Sequence, residues 1–205
     1  MAKSGPRKQS TPNDELRTRL IDGAVRVLAR DGFAHTSARA VAVEAGTVNG
    51  SIFYYFGSMD GLLAATAREL ADRGIERIRT GLGGEHAHIE WPARLSTVMR
   101  AEAEGDEGRA VMELVVGART SPELAAEVRR VIDRAIAFAT AEMEAVIGGS
   151  AVTQMLPVPL IAELAAGAFL GIEVLAQNGR EIDLDQLAAT IAAAVQLVNA
   201  FKPAG

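Results

Sequence analysis

Between Thr36 and Tyr55 the chain gathers side chains that make short, directional hydrogen bonds: the hydroxyls of Thr36, Ser37, Thr47, Ser51, Tyr54 and Tyr55, the amide of Asn49, and Gly50 among them. An amide donates and accepts through one planar fork, which matches the N6 and N7 edge of adenine, and phenol hydroxyls can donate to phosphate oxygens. Glycine lets a backbone come close to whatever faces it. Catalytic and metal chemistry find less support. The chain has no cysteine, hence no disulfide, thiolate zinc site or cysteine nucleophile. His86 and His88, beside Glu85 and Glu90, have no third and fourth ligand at a metal-binding spacing. The stretch Gly81-Leu82-Gly83-Gly84 lacks the Lys-Ser/Thr of a phosphate loop and reads as a connector. No Ser/His/Asp set or nucleotide fingerprint is visible, so neither an enzyme nor a cofactor is expected.

The elements that must position these groups follow from periodicity. Leu16, Leu20, Ala24 and Leu28 fall at i, i+4, i+8 and i+12, which predicts a helix from Asp14 to Arg30 ended by Asp31-Gly32. A short helix starts at Thr36 or Ser37, either hydroxyl being able to cap it, and stops at Gly46. A third short segment runs around Asn49 to Phe53. Two short helices joined by a tight glycine-containing turn and packed on a longer first helix make a helix-turn-helix, with Ile52 and Phe56 as small-core residues. Ser58 and Asp60 start a helix from Met59 to about Thr80. Further helices are expected from Trp91-Pro92 to Glu104, Arg109 to Arg119, Ser121-Pro122 to Gly148, Leu160 to Gln177, and Asp183 to Phe201, nine in all with no convincing strand.

The stretch from Thr36 to Leu62, with its Thr-Ser start, Ala45-Gly46 turn, Gly50, the aromatic cluster Phe53-Tyr54-Tyr55-Phe56 and the Ser58 start of the next helix, resembles the N-terminal signature of the tetracycline-repressor (TetR) family of bacterial regulators. The resemblance covers roughly residues 14–63. It implies an all-α protein in which an N-terminal three-helix domain (14–57, preceded by a flexible basic arm, 1–13) carries a larger helical ligand-binding and dimerisation domain (58–205). Thr36, Ser37, Arg39, Thr47, Asn49, Gly50, Ser51, Tyr54 and Tyr55 would then contact operator DNA. Three positions depart from the family pattern: Phe53 replaces the usual tyrosine, Met59 the usual lysine, and Thr47-Val48 the common Val-Ser order. The function implied is a transcriptional regulator, a repressor released from double-stranded operator DNA by a small-molecule effector; a dimeric regulator without an effector is the alternative.

The charge pattern suits such a protein. Residues 1–57 hold eight Lys and Arg against five Asp and Glu, a net +3, whereas the remainder carries −8. Residues 1–13 are basic and polar with no apolar stretch, and the apolar runs at 160–176 and 185–202 are interrupted by polar residues such as Glu163, Glu173 and Gln186, so a cytoplasmic protein without a membrane segment is expected.

The last two helices show more apolar surface than one subunit needs. Leu184, Leu187, Ile191, Val195 and Val198, with Leu164, Ala168 and Ile172 on the small-residue helix before them, are expected to pair with a second copy in a four-helix interface; burial within one subunit is the competing arrangement. For an effector pocket the adaptable side chains are Trp91, Met99, Met112, Phe138, Met143 and Phe169, with Glu113, Arg119 or Glu173 for polarity. Such residues also serve as plain core.

Overall fold

The computed structural model describes residues 12–82, 105–149, 157–180 and 182–200, with Arg94, Thr97, Arg100 and Thr153 between them. The regular elements among these are α1 (Pro12–Asp31), a 3-10 turn (Phe33–His35), α2 (Ala38–Glu44), α3 (Asn49–Phe56), α4 (Met59–Leu82), α5 (Asp106–Gly117), α6 (Pro122–Ile147), α7 (Val158–Gln177) and α8 (Leu184–Ala200). The fold is all-α, as expected. Helix α5 begins at Asp106, ahead of the expected Arg109, because Asp106 and Glu107 place negative charge in its first turn against the helix dipole. The helix expected from Trp91 to Glu104 lies outside the described residues except for Arg94, Thr97 and Arg100, each helical. His86, His88 and residues 1–11 of the basic arm also lie outside them.

Among the described residues α1 belongs to two apolar clusters. One of its faces (Leu20, Ile21, Ala24, Val27) packs on Val41, Ala42 and Ala45 of α2 and its turn, Ile52 of α3 and Leu62 of α4. The adjoining face (Val25, Leu28) enters a second cluster with Leu63, Ala67 and Leu70 of α4, Ala110 and Leu114 of α5, and Leu124 and Val128 of α6. Displacing α1 therefore disturbs both clusters at once. Local signals set the helix starts: the Ser37, Ser58 and Ser121 hydroxyls accept from the N–H groups of Ala40, Gly61 and Leu124, and Asp183 accepts from Gln186 N–H at 2.8 Å. Pro122 occupies the first turn of α6, where its missing N–H leaves no bond unmade.

Helices α7 and α8 correct the reading of the sequence in two respects. The stretch Val158–Ala176 is long and apolar enough to cross a membrane by length and composition, with mean hydropathy 1.8 despite Glu163. Only 12% of that window is buried within the chain. Its uncovered side carries Leu160, Leu164, Gly167, Ala168, Gly171, Val174 and Leu175. Leu184, assigned above to an intersubunit surface, is instead buried in its own chain together with Ala188, and Leu187, Ile191 and Val195 are half-buried on the same stripe, which faces α6. A helix apolar on two sides offers no phase from which to tell inside from outside. Among the described side chains of α8 the exposed apolar ones are Ala189, Ala193, Ala194 and Leu197; Ile172 of α7 is half-buried, and the Val198 and Glu173 side chains are outside the description.

Candidate nucleic-acid interface

Helices α2 and α3 are joined by a turn that the sequence specifies closely. After α2 the N–H of Gly46 donates to Val43 O at 3.1 Å and that of Thr47 to Ala42 O at 2.9 Å, with Gly46 at φ +65°. This pair of bonds satisfies the last carbonyls of α2 and needs a left-handed residue, which glycine adopts without strain. Val48 then caps α3 with no side-chain bond, and the helix runs from Asn49, so the first residue of this helix follows the Thr47-Val48 pair. Gly57, at φ +76°, ends it. Ile52 is fully buried beneath α3, and Arg26 and Arg30 of α1 bind the Glu44 carboxylate at 2.7 and 3.0 Å, fixing the end of α2 on α1 and holding that carboxyl below the usual carboxylate range.

Burial and bonding divide the expected contact residues into two groups. Ser37, Arg39, Asn49, Gly50 and Tyr54 are exposed. The other hydroxyls have partners inside the chain: Thr36 Oγ1 donates to Gly32 O at 2.8 Å, Thr47 and Ser51 bond each other at 2.9 Å, and the Tyr55 hydroxyl donates to Asn13. Of the two candidate caps of α2, Ser37 serves and Thr36 does not. Met59, at the position where the resemblance implies a lysine, is half-buried against both apolar clusters. Phe56 is half-buried against the first cluster, with the Arg17 guanidinium 5.5 Å from its ring centre. What the sequence reading missed is the apolar part of the outward surface, Val43, Val48 and Phe53, all exposed. The signal was available: Asn49, Gly50, Phe53 and Tyr54 stand at i, i+1, i+4 and i+5, one side of a helix whose opposite side is Ile52.

Beside the shared apolar cluster, polar contacts among the described residues tie the interface and the start of α4 to the rest of the chain. Phe33, in the 3-10 turn after α1, rests in a notch on α5, and its N–H donates to the Glu113 carboxylate at 2.6 Å. Glu113 was expected to lend polarity to a ligand pocket; its carboxylate instead closes this junction. Arg73 of α4 joins Asp22 of α1, Glu69 of its own helix and Glu107 of α5 at 2.9 to 3.1 Å; burial works to lower its pKa, but the hydrogen bonds it donates to these carboxylates outweigh that and raise it further above the ordinary arginine value. Ser121, the cap of α6, donates to Asp60 at the start of α4 at 2.7 Å. Nearby, Glu127 is buried and accepts two 2.9 Å bonds from Arg68 and a further one from Arg130; the Arg68 bonds hold its carboxyl below the usual range against the opposing effect of burial.

An open groove of about 670 Å³ runs along the second half of α4, walled among the described residues by Asp72, Arg73, Glu76, Arg77, Thr80 and Gly81. None of the described pocket candidates lines it. Met112 is buried, Arg119 is exposed, and Phe138, Met143 and Phe169 are half-buried, Phe138 under the Arg79 guanidinium at 5.5 Å. Trp91 and Met99 are outside the described residues.

A capped short helix, a glycine turn and a second short helix showing one amide, one glycine and two aromatic rings define a helix-turn-helix protein. Residues 20–66 match the family model for bacterial regulatory proteins of the tetR family. The match covers the helix-turn-helix and the first part of α4, under a quarter of the chain. It is 29% identical over 127 residues to an uncharacterized HTH-type transcriptional regulator of Mycobacterium bovis, a match spanning 62% of this chain and 65% of that relative. In fold it is similar to the fatty acid degradation regulator FadR from Bacillus halodurans, with TM-score 0.69 and 20% identity over 92% of this chain and 96% of that one. It is also similar to the multidrug binding protein EbrR complexed with imidazole, with TM-score 0.61 and 21% identity over 98% and 99% of the two chains.

Proposed function

We propose that this chain is a transcriptional regulator that binds double-stranded operator DNA as a homodimer, with α3 in the major groove, and that a small molecule entering the helical body releases it. The observation that carries the reading is the outward side of α3, which presents Asn49, Gly50, Phe53 and Tyr54 on a helix anchored from behind by Ile52. That geometry suits a recognition helix, whose first residues must reach base edges. The net +3 of residues 1–57 on a body of −8 supports contact with phosphates at this end alone.

The dimer rests on α7, whose exposed apolar side is too large to leave in water and carries Gly167, Ala168 and Gly171, small enough for a partner helix to approach closely. Cover by a second copy also removes any need for a bilayer, in keeping with a cytoplasmic protein. Effector release draws on the junction geometry: Glu113 of α5 holds Phe33 in the turn after α1 and Arg73 of α4 holds Asp22 of α1, so a ligand that shifts either helix tilts the reading head. The imidazole complex of EbrR is a precedent for ligand entry in this fold.

Selection from a random DNA library tests the reading. The protein should enrich an inverted repeat whose half-sites lie one helical turn, ~34 Å, apart. Recovery of unrelated sequences with no repeat would overturn it.

A further inference from the structure

From Ala45 to Met59 the chain has no charged residue, so the segment that would enter the groove offers no guanidinium fork for guanine. Its free polar groups are few as well. The Thr47 and Ser51 hydroxyls bond each other and the Tyr55 hydroxyl bonds Asn13, which leaves the Asn49 amide and the Tyr54 hydroxyl on the outward side. What that side does offer is apolar: Val48 is 70% exposed and Phe53 53% exposed. Val48 adjoins Asn49 at the helix start, and Phe53 lies one turn beyond Asn49 on the same ridge.

Gly50 adds an independent observation. Its φ is not positive, and a Cβ built on it would meet nothing within 4 Å, so neither the backbone nor the packing of this chain calls for glycine there. A glycine inside a helix costs about 1 kcal/mol relative to alanine. Its bareness makes sense if a surface outside the chain comes close to α3 at that point. A groove floor would.

We propose that Val48 and Phe53 select the operator by packing against thymine 5-methyl groups, next to an adenine held by the Asn49 amide. The inference rests on the DNA-binding reading above and deepens it. Thymine is the base that presents an apolar group in the major groove, and an apolar side chain recognises it by removing that methyl from water. Both side chains stand free of the chain's own core, so they are available for this contact.

The test uses the full chain and the operator recovered by selection. Replacing thymine with deoxyuridine removes the methyl group alone and keeps every hydrogen-bonding edge of the base. Each contacted methyl should contribute about four-fold in affinity, the effect of burying one such group. With two methyls per half-site, a fully deoxyuridine operator should bind roughly two orders of magnitude more weakly. In Val48→Ala, an exposed position where folding is unaffected, the response to deoxyuridine should vanish at one thymine per half-site and persist at the others; Phe53→Ala should silence a different one. Equal binding of thymine and deoxyuridine operators overturns this inference alone. A methyl effect that survives in both variants overturns the assignment to Val48 and Phe53. If no operator is recovered, the DNA-binding reading falls first and this inference with it.

Discussion

Gly117→Ala tests the junction between the helix-turn-helix and the rest of the helices through the sign of its effect. Within a helix the change from glycine to alanine ordinarily stabilises by up to about 1 kcal/mol, because the unfolded chain loses freedom. At Gly117 the added Cβ would stand 2.0 Å from Phe33 Cε2 and 2.1 Å from Cδ2, so the ring must leave its notch. Phe33 cannot withdraw freely, since its N–H is tied to Glu113 at 2.6 Å. Overpacking of this kind costs roughly 1–3 kcal/mol, which exceeds the propensity gain at Gly117, close to the end of α5. The expected net loss is about 1–2 kcal/mol, a fall in Tm of several degrees for a chain of this size, measured at fixed protein concentration so that any self-association contributes equally. In a Phe33→Ala background the same substitution should be neutral or stabilising, the two residues being coupled. A raised Tm for Gly117→Ala in the otherwise unchanged protein would refute the placement of Phe33 on α5.

Met59→Lys, which matches the usual family residue, should lower stability by about 1–2 kcal/mol and leave the salt dependence of DNA binding unchanged, since Met59 packs between the two clusters; a salt slope steeper by ~0.9 per subunit would show that this side chain faces a phosphate. Leu164 is 61% exposed in the single chain, so Leu164→Glu should leave the subunit folded yet yield monomers in sedimentation velocity by burying an unpaired charge between subunits. An unchanged dimer would remove α7 from the interface. Glu127, with a folded pKa below its ordinary value, contributes stability that is complete above the unfolded glutamate pKa of ~4.3 and is lost as pH falls through the folded value. The stability advantage of the native protein over Glu127→Gln should therefore hold at neutral pH and shrink in acid melts below about pH 4; a pH-independent difference would contradict the ion pair with Arg68.

How much was legible in the sequence depended on whether the signal was local. The caps at Ser58 and Ser121 and the turn at Gly46 could be read directly, and the cap of α2 to within the pair Thr36 and Ser37, because a cap or a left-handed glycine acts within a few residues. Ile52 followed from its spacing on α3. The inward stripe of α8 could not be phased, since Leu184 and Ala188 compete with neighbouring alanines that look the same to a periodicity argument. Glu113 was placed in a pocket because its partner, the Phe33 N–H, is eighty residues away in sequence. The same distance hides the notch at Gly117, which reads as an ordinary helix end until Phe33 is set beside it.

Whether α3 reads DNA sequence is decided by equilibrium affinity, measured by fluorescence anisotropy, for a selected operator and for a scrambled duplex of equal length and composition across a salt series. The operator should bind at least ~10³-fold more tightly at physiological salt, and Asn49→Ala and Val48→Ala should narrow the gap while leaving affinity for the scrambled duplex unchanged. Equal affinities for both duplexes with a common salt slope would contradict sequence reading by α3.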